Sequence, residues 1–204
     1  MPRPKSFDKD QLLGEAMVLF WEKGYDKTSL KDLEKLFGLT PPSIYNTFGN
    51  KHDLFLSVLD HYLEQVVESR IARYLGQTPN PIHDLEHFFR SAVGYWVEGK
   101  PRFGCLLTNS AILPRRGRGC ANAPALTETI DQKIQAGLTQ LRDAFHQELV
   151  RAKTTGYLKP EQDPAVLATM LLTSYQGLLV LARLKVSDEA LEQNVGSIIS
   201  TLDR

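Results

Sequence analysis

Apolar residues recur along most of the chain at spacings of three and four, which is the period of an amphipathic α-helix. Runs that alternate apolar and polar residues, as half-buried strands do, are scarce. Residues that start and stop helices divide the pattern into about nine segments. The sequence therefore predicts an all-α protein.

Three short segments occupy the first fifty residues, and each has recognisable ends. Ser, Thr and Asp residues that cap helix N-termini precede the apolar stripes, and glycines that tolerate the left-handed conformation follow two of them. The predicted segments run from Asp8 to Gly24, from Thr28 or Ser29 to Gly38, and from Thr40 to Phe48. We interpret residues 1–50 as a compact N-terminal domain.

Longer segments form the rest of the chain. A fourth helix over about 51–75 links the N-terminal domain to a helical body, and this second domain covers 51–204. Further helices are predicted from Pro81 to Glu98, Cys105 to Leu113, Ala123 to Thr154, Pro164 to Lys185 and Ser187 to Leu202. The segment from Pro164 to Lys185 is apolar on nearly every side, so it requires burial all round.

The composition excludes several classes of protein. The 204 residues include 24 Lys plus Arg and 24 Asp plus Glu, with two cysteines and 42% apolar residues. These values exclude disordered and collagen-like chains. Two cysteines make no disulfide framework, so the predicted location is the reducing cytoplasm. We expect no signal peptide and no membrane span. A net charge of zero argues mildly against a nucleic-acid binder.

The second and third helices are joined by a turn of about three residues around Gly38-Leu39. A tight glycine turn between two short helices indicates either a helix-turn-helix or an ordinary α-hairpin. The outward-facing residues favour the helix-turn-helix, because they are small or hydrogen-bonding and suit phosphates, base edges and thymine methyl groups. They are Thr40, Pro42, Ser43, Tyr45, Asn46 and Thr47.

A longer pattern surrounds this turn. It reads Ala16-x-x-Leu19-Phe20-x-x-x-Gly24-Tyr25-x-x-Thr28-Ser29-Leu30, then Gly38-Leu39-Thr40-x-x-Ser43-Ile44-Tyr45-x-x-Phe48-x-Asn50-Lys51-x-x-Leu54. Over about residues 9–60 the chain resembles the TetR family of bacterial transcriptional regulators. The resemblance implies a ligand-responsive homodimer that binds double-stranded operator DNA, most often as a repressor.

The resemblance also implies particular DNA contacts. The third helix would read the major groove, while Tyr45 and Lys51 would meet the DNA backbone. Two prolines remove N–H donors from the start of this helix, which leaves Ser43, Tyr45 and Asn46 as the leading base readers. The predicted DNA-binding set is Thr28, Thr40, Pro42, Ser43, Tyr45, Asn46, Thr47 and Lys51.

Electroneutrality does not exclude DNA binding, because phosphate contacts depend on local rather than total charge. Basic residues lie at the N-terminal tail and at helix ends, where they can converge on one backbone: Arg3, Lys5, Lys9, Lys27 and Lys51. Arg3 and Lys5 are hypothesised to reach an adjacent minor groove. The sequence thus predicts a modest electrostatic footprint of a few phosphates per subunit.

The apolar helix near the C-terminus predicts a partner subunit, since a small protein offers little core to surround it. The resemblance implies that it forms, with the last helix, half of a four-helix interface across a two-fold axis. Such a dimer would place two recognition helices about 34–36 Å apart on a palindromic operator. The predicted interface residues are Leu171, Leu178, Leu181, Val195 and Ile199.

Helices four to eight carry many aromatic residues, which indicate either core packing or the walls of a ligand cavity. The resemblance implies that a small, mostly apolar effector binds between these helices and releases the operator. The predicted effector-binding residues are Tyr62, Phe89, Trp96, Cys105, Asn109 and Tyr175.

An alternative to an apolar effector is thiol-based sensing of electrophiles or oxidants by Cys105. The run Gly104-Cys105-Leu106-Leu107 occurs in many TetR-like proteins, and some of these proteins sense electrophiles or oxidants at this position. Arginines nearby in the sequence would favour a reactive thiolate if they are close in space, and Cys120 would be the resolving thiol. These are Arg102, Arg115, Arg116 and Arg118. The competing interpretation is that Cys105 is a small buried hydrophobe.

Enzymatic function is not predicted. The histidines form no nucleophile–base pattern, and there is no phosphate loop or dinucleotide fingerprint. His83 and His87 are four residues apart on one helix face, which suits a metal, but chance on a surface is the favoured explanation. We therefore expect neither a cofactor nor a metal ion.

Overall fold

A computed structural model describes residues 8–97, 102–112 and 123–202, and within these ranges the chain forms helices and no strand. The predicted all-α class is confirmed. Some residues named above lie outside the described ranges, namely Arg3, Lys5, Arg115, Arg116, Arg118 and Cys120.

Nine helices are present in the described residues when one continuous run is counted once. That run is α4, which comprises Lys51–Tyr62, a π-helical segment Leu63–Glu68 and Ser69–Tyr74. The others are α1 (Lys9–Lys23), α2 (Leu30–Phe37), α3 (Pro41–Phe48), α5 (Pro81–Val97), α6 (Leu106–Ile112), α7 (Ala123–Thr154), α8 (Pro164–Arg183) and α9 (Asp188–Ser200). These bounds agree with the predicted segments to within two residues.

Reciprocal caps fix the starts of α2 and α4. The Asp32 amide donates to the Ser29 hydroxyl at 3.1 Å, and the Ser29 amide donates back to the Asp32 carboxylate at 2.8 Å. Asn50 and Asp53 make the same capping box at α4. Thr40 precedes α3 but makes no side-chain cap, and its hydroxyl lies 3.1 Å from the Ser43 hydroxyl. The first two helical residues are prolines and offer no N–H donors.

The first three helices share their hydrophobic core with α4. Ala16 and Phe20 of α1 are fully buried, and the Phe20 ring meets the Phe55 ring of α4 edge-on at 5.0 Å between centroids. Tyr25, just beyond α1, packs on the same Phe55 ring at 4.9 Å. The N-terminal unit is therefore fastened to the first turns of α4 by buried aromatic contacts.

The body of the protein is built around a cluster of aromatic rings. Phe88, Phe89, Phe145 and Tyr175 come from α5, α7 and α8, with centroids 5.1 to 6.4 Å apart. All four side chains are buried. Two predicted effector contacts, Phe89 and Tyr175, thus belong to this core.

The outer face of α8 is exposed and largely apolar. It carries Val166, Val180 and Leu181, with Leu184 just beyond the helix end and open space beside Gly177. Thr169 and Thr173 lie on the same face, and their hydroxyls donate to carbonyls of α8 itself. Among the described helices, α8 is the one that is long and apolar enough to cross a membrane. A third of the residues in its most apolar stretch are buried inside the fold. The sequence predicts that α8 is buried on every side, but within one protomer its outer face is exposed.

The predicted dimer-interface residues need correction. Leu171, Leu178, Val195 and Ile199 are buried inside the protomer, where α8 and α9 face the other helices. Their side chains are therefore unavailable to a partner in this conformation. Leu181, which is 37% exposed, is the one predicted interface residue that lies on the outer face.

A buried carboxylate fastens the turn between α4 and α5 to α7. Asp84 is 1% exposed and accepts from the amides of Gln77 and Thr78 at 3.0 and 3.1 Å, and from the Arg151 guanidinium at 2.6 Å. Burial alone would raise the pKa of Asp84, but these hydrogen bonds outweigh it and hold the pKa below its usual value.

We predict that Asp84→Ala lowers the free energy of unfolding by about 2 to 3 kcal/mol, because two backbone donors lose their buried acceptor and Arg151 loses a partner. Urea unfolding at pH 7 and a fixed protein concentration measures the change. The control is Asp143→Ala, whose carboxylate pairs with its exposed neighbour Arg142 and contributes less than about 0.5 kcal/mol. Equal losses in the two variants would contradict the anchoring role.

Candidate nucleic-acid interface and adjoining cavity

The turn between α2 and α3 has the geometry of a helix-turn-helix. Gly38 ends α2 in the left-handed conformation, with a φ of 62° that a side chain would disfavour. Leu33, Ile44 and Phe48 are buried and hold the two helices against α1 and α4. The polar side of α3 is consequently directed away from the core.

The residues predicted to read DNA lie together on this outward side of α3. Tyr45 is 48% exposed, and Thr40, Pro42 and Asn46 are also exposed. Ser43 and Thr47 are half-buried, and the Thr47 hydroxyl donates to the Ser43 carbonyl at 2.8 Å. The face is uncharged and rich in hydrogen-bonding groups, which suits base edges and phosphate oxygens.

Thr28 was predicted to contact DNA, and the structure corrects this. Its side chain is completely buried, and its hydroxyl donates to the Gly24 carbonyl at 2.8 Å. That hydrogen bond closes the turn between α1 and α2. Thr28 therefore stabilises the turn from a buried position, while Ser29 provides the N-cap of α2.

Two lysines flank α3 and rest on aromatic rings. The Lys51 ammonium lies 4.4 Å from the centroid of Tyr25, and the Lys9 ammonium lies 5.7 Å from that of Phe48. Partial burial lowers the pKa of Lys51 from its ordinary value. The rings thus place positive charge at the start of α1 and of α4, beside the uncharged face of α3.

A cavity of about 330 Å³ lies where α1 meets α4. Met17, Val18 and Trp21 of α1 form one side. The remaining described lining comes from α4, α5, α8 and the segment before α6, namely Tyr62, Gln65, Val66, Ser69, Arg70, Arg73, Tyr74, Ser91, Phe103, Gly104 and Leu179. The volume and the mixture of aromatic and polar groups suit a small organic ligand.

The helix-turn-helix unit contributes directly to the wall of this cavity. The Trp21 indole donates to the Gly104 carbonyl at 3.2 Å and meets the Tyr62 ring edge-on at 5.0 Å. Gln65 and Val66 line the cavity from the π-helical segment of α4. A π-helical turn in a long helix frequently marks a functional site.

Of the predicted effector residues whose side chains are described, one lines the cavity. Tyr62 lines it, whereas Phe89 and Tyr175 lie in the aromatic core. Asn109 is half-buried and donates to the Phe103 carbonyl, which fixes the lining segment before α6. The side chain of Trp96 lies outside the described residues.

Cys105 is a buried thiol behind the cavity wall. It is 3% exposed, is absent from the lining, and accepts a hydrogen bond from the Tyr62 hydroxyl at 3.7 Å. Arg102, one of the arginines that would favour a thiolate if it were close to Cys105, binds the Val186 carbonyl and the Asp188 carboxylate. These contacts support the interpretation of Cys105 as a packed hydrophobe.

Sequence reasoning missed Arg70, whose guanidinium reaches the cavity and donates to the Tyr175 hydroxyl at 2.6 Å. The two residues are 105 positions apart, so nothing in the local pattern of α4 distinguishes Arg70 from a solvated charge. Arg73 also lines the cavity and lies 5.6 Å from the centroid of Tyr74.

The described residues contain no group of three His, Cys, Asp or Glu side chains arranged to hold a metal ion. The His83 and His87 rings do approach each other, with centroids 3.9 Å apart on the exposed side of α5. No third ligand of the described chain joins them.

Comparison with known proteins agrees with this architecture. Residues 12–58 match the family model "Bacterial regulatory proteins, tetR family", and residues 81–198 match "Tetracyclin repressor-like, C-terminal domain". An uncharacterised HTH-type transcriptional regulator of Bacillus subtilis, YezE, is 32% identical over the whole of both chains. The HTH-type transcriptional repressor ComR of Escherichia coli is 28% identical over 97% of this chain and 90% of its own.

A solved structure of the TetR family transcriptional regulator CifR, a cysteine mutant complexed with 26-bp double-strand operator DNA, is also similar. The TM-score is 0.82 at 30% identity, over 97% of this chain and 98% of that one. Fold and site therefore define a helix-turn-helix DNA-binding regulator rather than an enzyme. The chain belongs to the TetR family of bacterial transcriptional regulators.

Like Arg70, His52 is not among the residues that the sequence predicts to be functional. It lies one residue beyond Lys51 at the start of α4. Its ring is buried, and its Nδ1 has no hydrogen-bond partner. Burial lowers the pKa of His52 below its usual value, although Asp53 partly opposes this. The folded protein therefore favours the neutral imidazole.

This predicts a pH dependence of stability. As pH falls through about 6.5, the unfolded chain protonates at His52 before the folded chain does, so the free energy of unfolding should decrease between about pH 7 and pH 5. Urea unfolding of His52→Gln should show a shallower decrease than the native chain, with His87→Gln on the exposed side of α5 as the matched control. An unchanged slope in His52→Gln would contradict the assignment.

Proposed function

We propose that this regulator is a cytoplasmic homodimeric repressor that binds a palindromic operator and releases it when a small effector occupies the cavity between α1 and α4. The observation that carries the proposal is the composition of the cavity wall. Met17, Val18 and Trp21 belong to the DNA-binding unit, whereas Tyr62 and Phe103 belong to the body. A ligand there contacts both parts at once.

The proposed mechanism is a shift between two conformations. An effector changes operator affinity only if it binds one conformation better than the other. Because α1 packs on α4 through buried rings, a ligand that alters the spacing of these helices also turns α3. The burial of Cys105 favours this non-covalent effector over thiol-based sensing.

The proposed DNA contacts are the outward residues of α3 together with Lys51. Thr40, Ser43, Tyr45, Asn46 and Thr47 offer hydroxyl or amide groups, and Pro42 offers apolar surface to a thymine methyl group. Lys51 adds charge at the N-terminus of α4, where the helix dipole also favours an anion. Thr28 is left out because it is buried.

We predict that Tyr45→Ala weakens binding to the DNA upstream of the protein's own gene by at least tenfold, about 1.4 kcal/mol, because an exposed backbone contact of α3 is lost. A mobility-shift titration at several salt concentrations measures the dissociation constants. Tyr157→Ala, which removes a comparably exposed tyrosine outside the helix-turn-helix, should bind as the native chain does. Equal weakening by both substitutions would contradict the placement of the DNA face on α3.

The proposed dimer interface is the outer face of α8. Val166, Val180, Leu181 and Leu184 form an apolar stripe, and Gly177 leaves room for close approach of a second helix. A partner copy would bury this stripe and explain why α8 is apolar on both its inner and outer faces. The two α3 helices would then meet successive major grooves about 34–36 Å apart.

Leu181→Asp should convert the dimer into a monomer at micromolar concentration, since it would place an unpaired charge within the apolar interface. Sedimentation velocity ultracentrifugation distinguishes the two states. Val150→Asp, at an exposed position of α7 instead of α8, should remain dimeric. A dimer that persists in Leu181→Asp would contradict the α8 interface, and a native chain that sediments as a monomer would contradict the proposed homodimer.

A further inference from the structure

Arg70 is a mostly buried cation that faces the cavity. Its guanidinium has one hydrogen-bond partner in the described structure, the Tyr175 hydroxyl at 2.6 Å, and it makes no ion pair there. Three other arginines that make long-range contacts do have a counterion. Arg90, Arg102 and Arg151 each pair with a carboxylate that is distant in the sequence.

No acidic residue of the described chain lines the cavity to compensate this charge. The described lining contains two guanidinium groups, Arg70 and Arg73, but no Asp or Glu. Burial raises the pKa of both Tyr62 and Tyr175, so these phenols are neutral at physiological pH and provide no counterion. A buried charge without a counterion is unfavourable, and a bound anion would relieve it.

The rest of the cavity wall determines what kind of anion fits. Trp21, Tyr62 and Phe103 present aromatic surface, and Ser69 and Gln65 add hydrogen-bonding groups. Inorganic anions would leave the aromatic surface uncovered, whereas an aromatic or aliphatic body would cover it. The fork of guanidinium N–H donors matches the two oxygens of a carboxylate.

We propose that the effector is an organic carboxylate whose charged group binds Arg70 and whose apolar body lies against Trp21, Tyr62 and Phe103. This inference rests on the proposed effector role of the cavity and narrows the predicted ligand from mostly apolar to amphipathic and anionic. Because Arg70 follows the π-helical segment of α4 and Trp21 belongs to α1, such a ligand would bridge the two helices that connect the body to the DNA-binding unit.

The test compares two probes of nearly equal size, naphthalene-2-carboxylate and its neutral amide, by isothermal titration calorimetry on the full chain without DNA. The carboxylate should bind at least tenfold more tightly than the amide. Arg70→Gln should abolish this preference, whereas Arg142→Gln, at an exposed arginine of α7 outside the cavity, should retain it.

Equal affinities for the two probes, a preference that survives Arg70→Gln, or no carboxylate binding up to millimolar concentration would each overturn the proposal. If Arg70→Gln does not fold, as judged by thermal unfolding, Arg70→Lys replaces it. This variant keeps the charge but lacks the guanidinium fork, so the preference should fall at least threefold; an unchanged preference would overturn the assignment to Arg70.

Operator release is measured separately, by adding the carboxylate to a preformed protein–DNA complex in a mobility-shift assay. Carboxylate binding that depends on Arg70 but leaves the complex intact would support the anion site and contradict the effector role of the cavity. Failure of the anion proposal and failure of the proposed function are therefore distinguishable.

Discussion

The hydrophobic core that α1 shares with α4 is the contact on which the rest of the structure depends. Phe20, Tyr25 and Phe55 meet through ring faces and edges 4.9 to 6.3 Å apart, and Phe20 and Phe55 are fully buried. A helix-turn-helix of about forty residues has little core of its own. Sharing one with α4 stabilises the unit and couples its orientation to the position of α4.

The cavity lies at the end of this shared core. Trp21 follows Phe20 by one residue and therefore points toward a different side of α1, where it contacts Tyr62, Phe103 and the Gly104 carbonyl. One helix thus carries both the packing that holds the DNA-binding unit and part of the cavity wall. A ligand needs only to change the fit of α1 against α4 to bias the protein between two orientations of α3.

The periodicity and the caps predicted the helices closely, because both signals are local. The Ser29 and Asp32 box and the Gly38 turn depend on residues a few positions apart. Burial within a protomer could not be separated from burial between protomers, so Leu171 and Val195 were assigned to an interface although they lie in the core. Arg70 was missed because two features mark it as a candidate ligand-binding residue, and neither is local in the sequence. Its hydrogen-bond partner Tyr175 belongs to a different helix, and no acidic residue is present in the described cavity lining.

In the proposed mechanism, ligand occupancy of the cavity changes the separation of the two DNA-binding units in a dimer. Pulsed electron paramagnetic resonance measures this directly, with one spin label per subunit at exposed Lys35 of α2 in a chain whose two cysteines are replaced. We expect one distribution of label distances with operator DNA and a displaced distribution after an effector that binds the cavity is added. Identical distributions in the two states would contradict it.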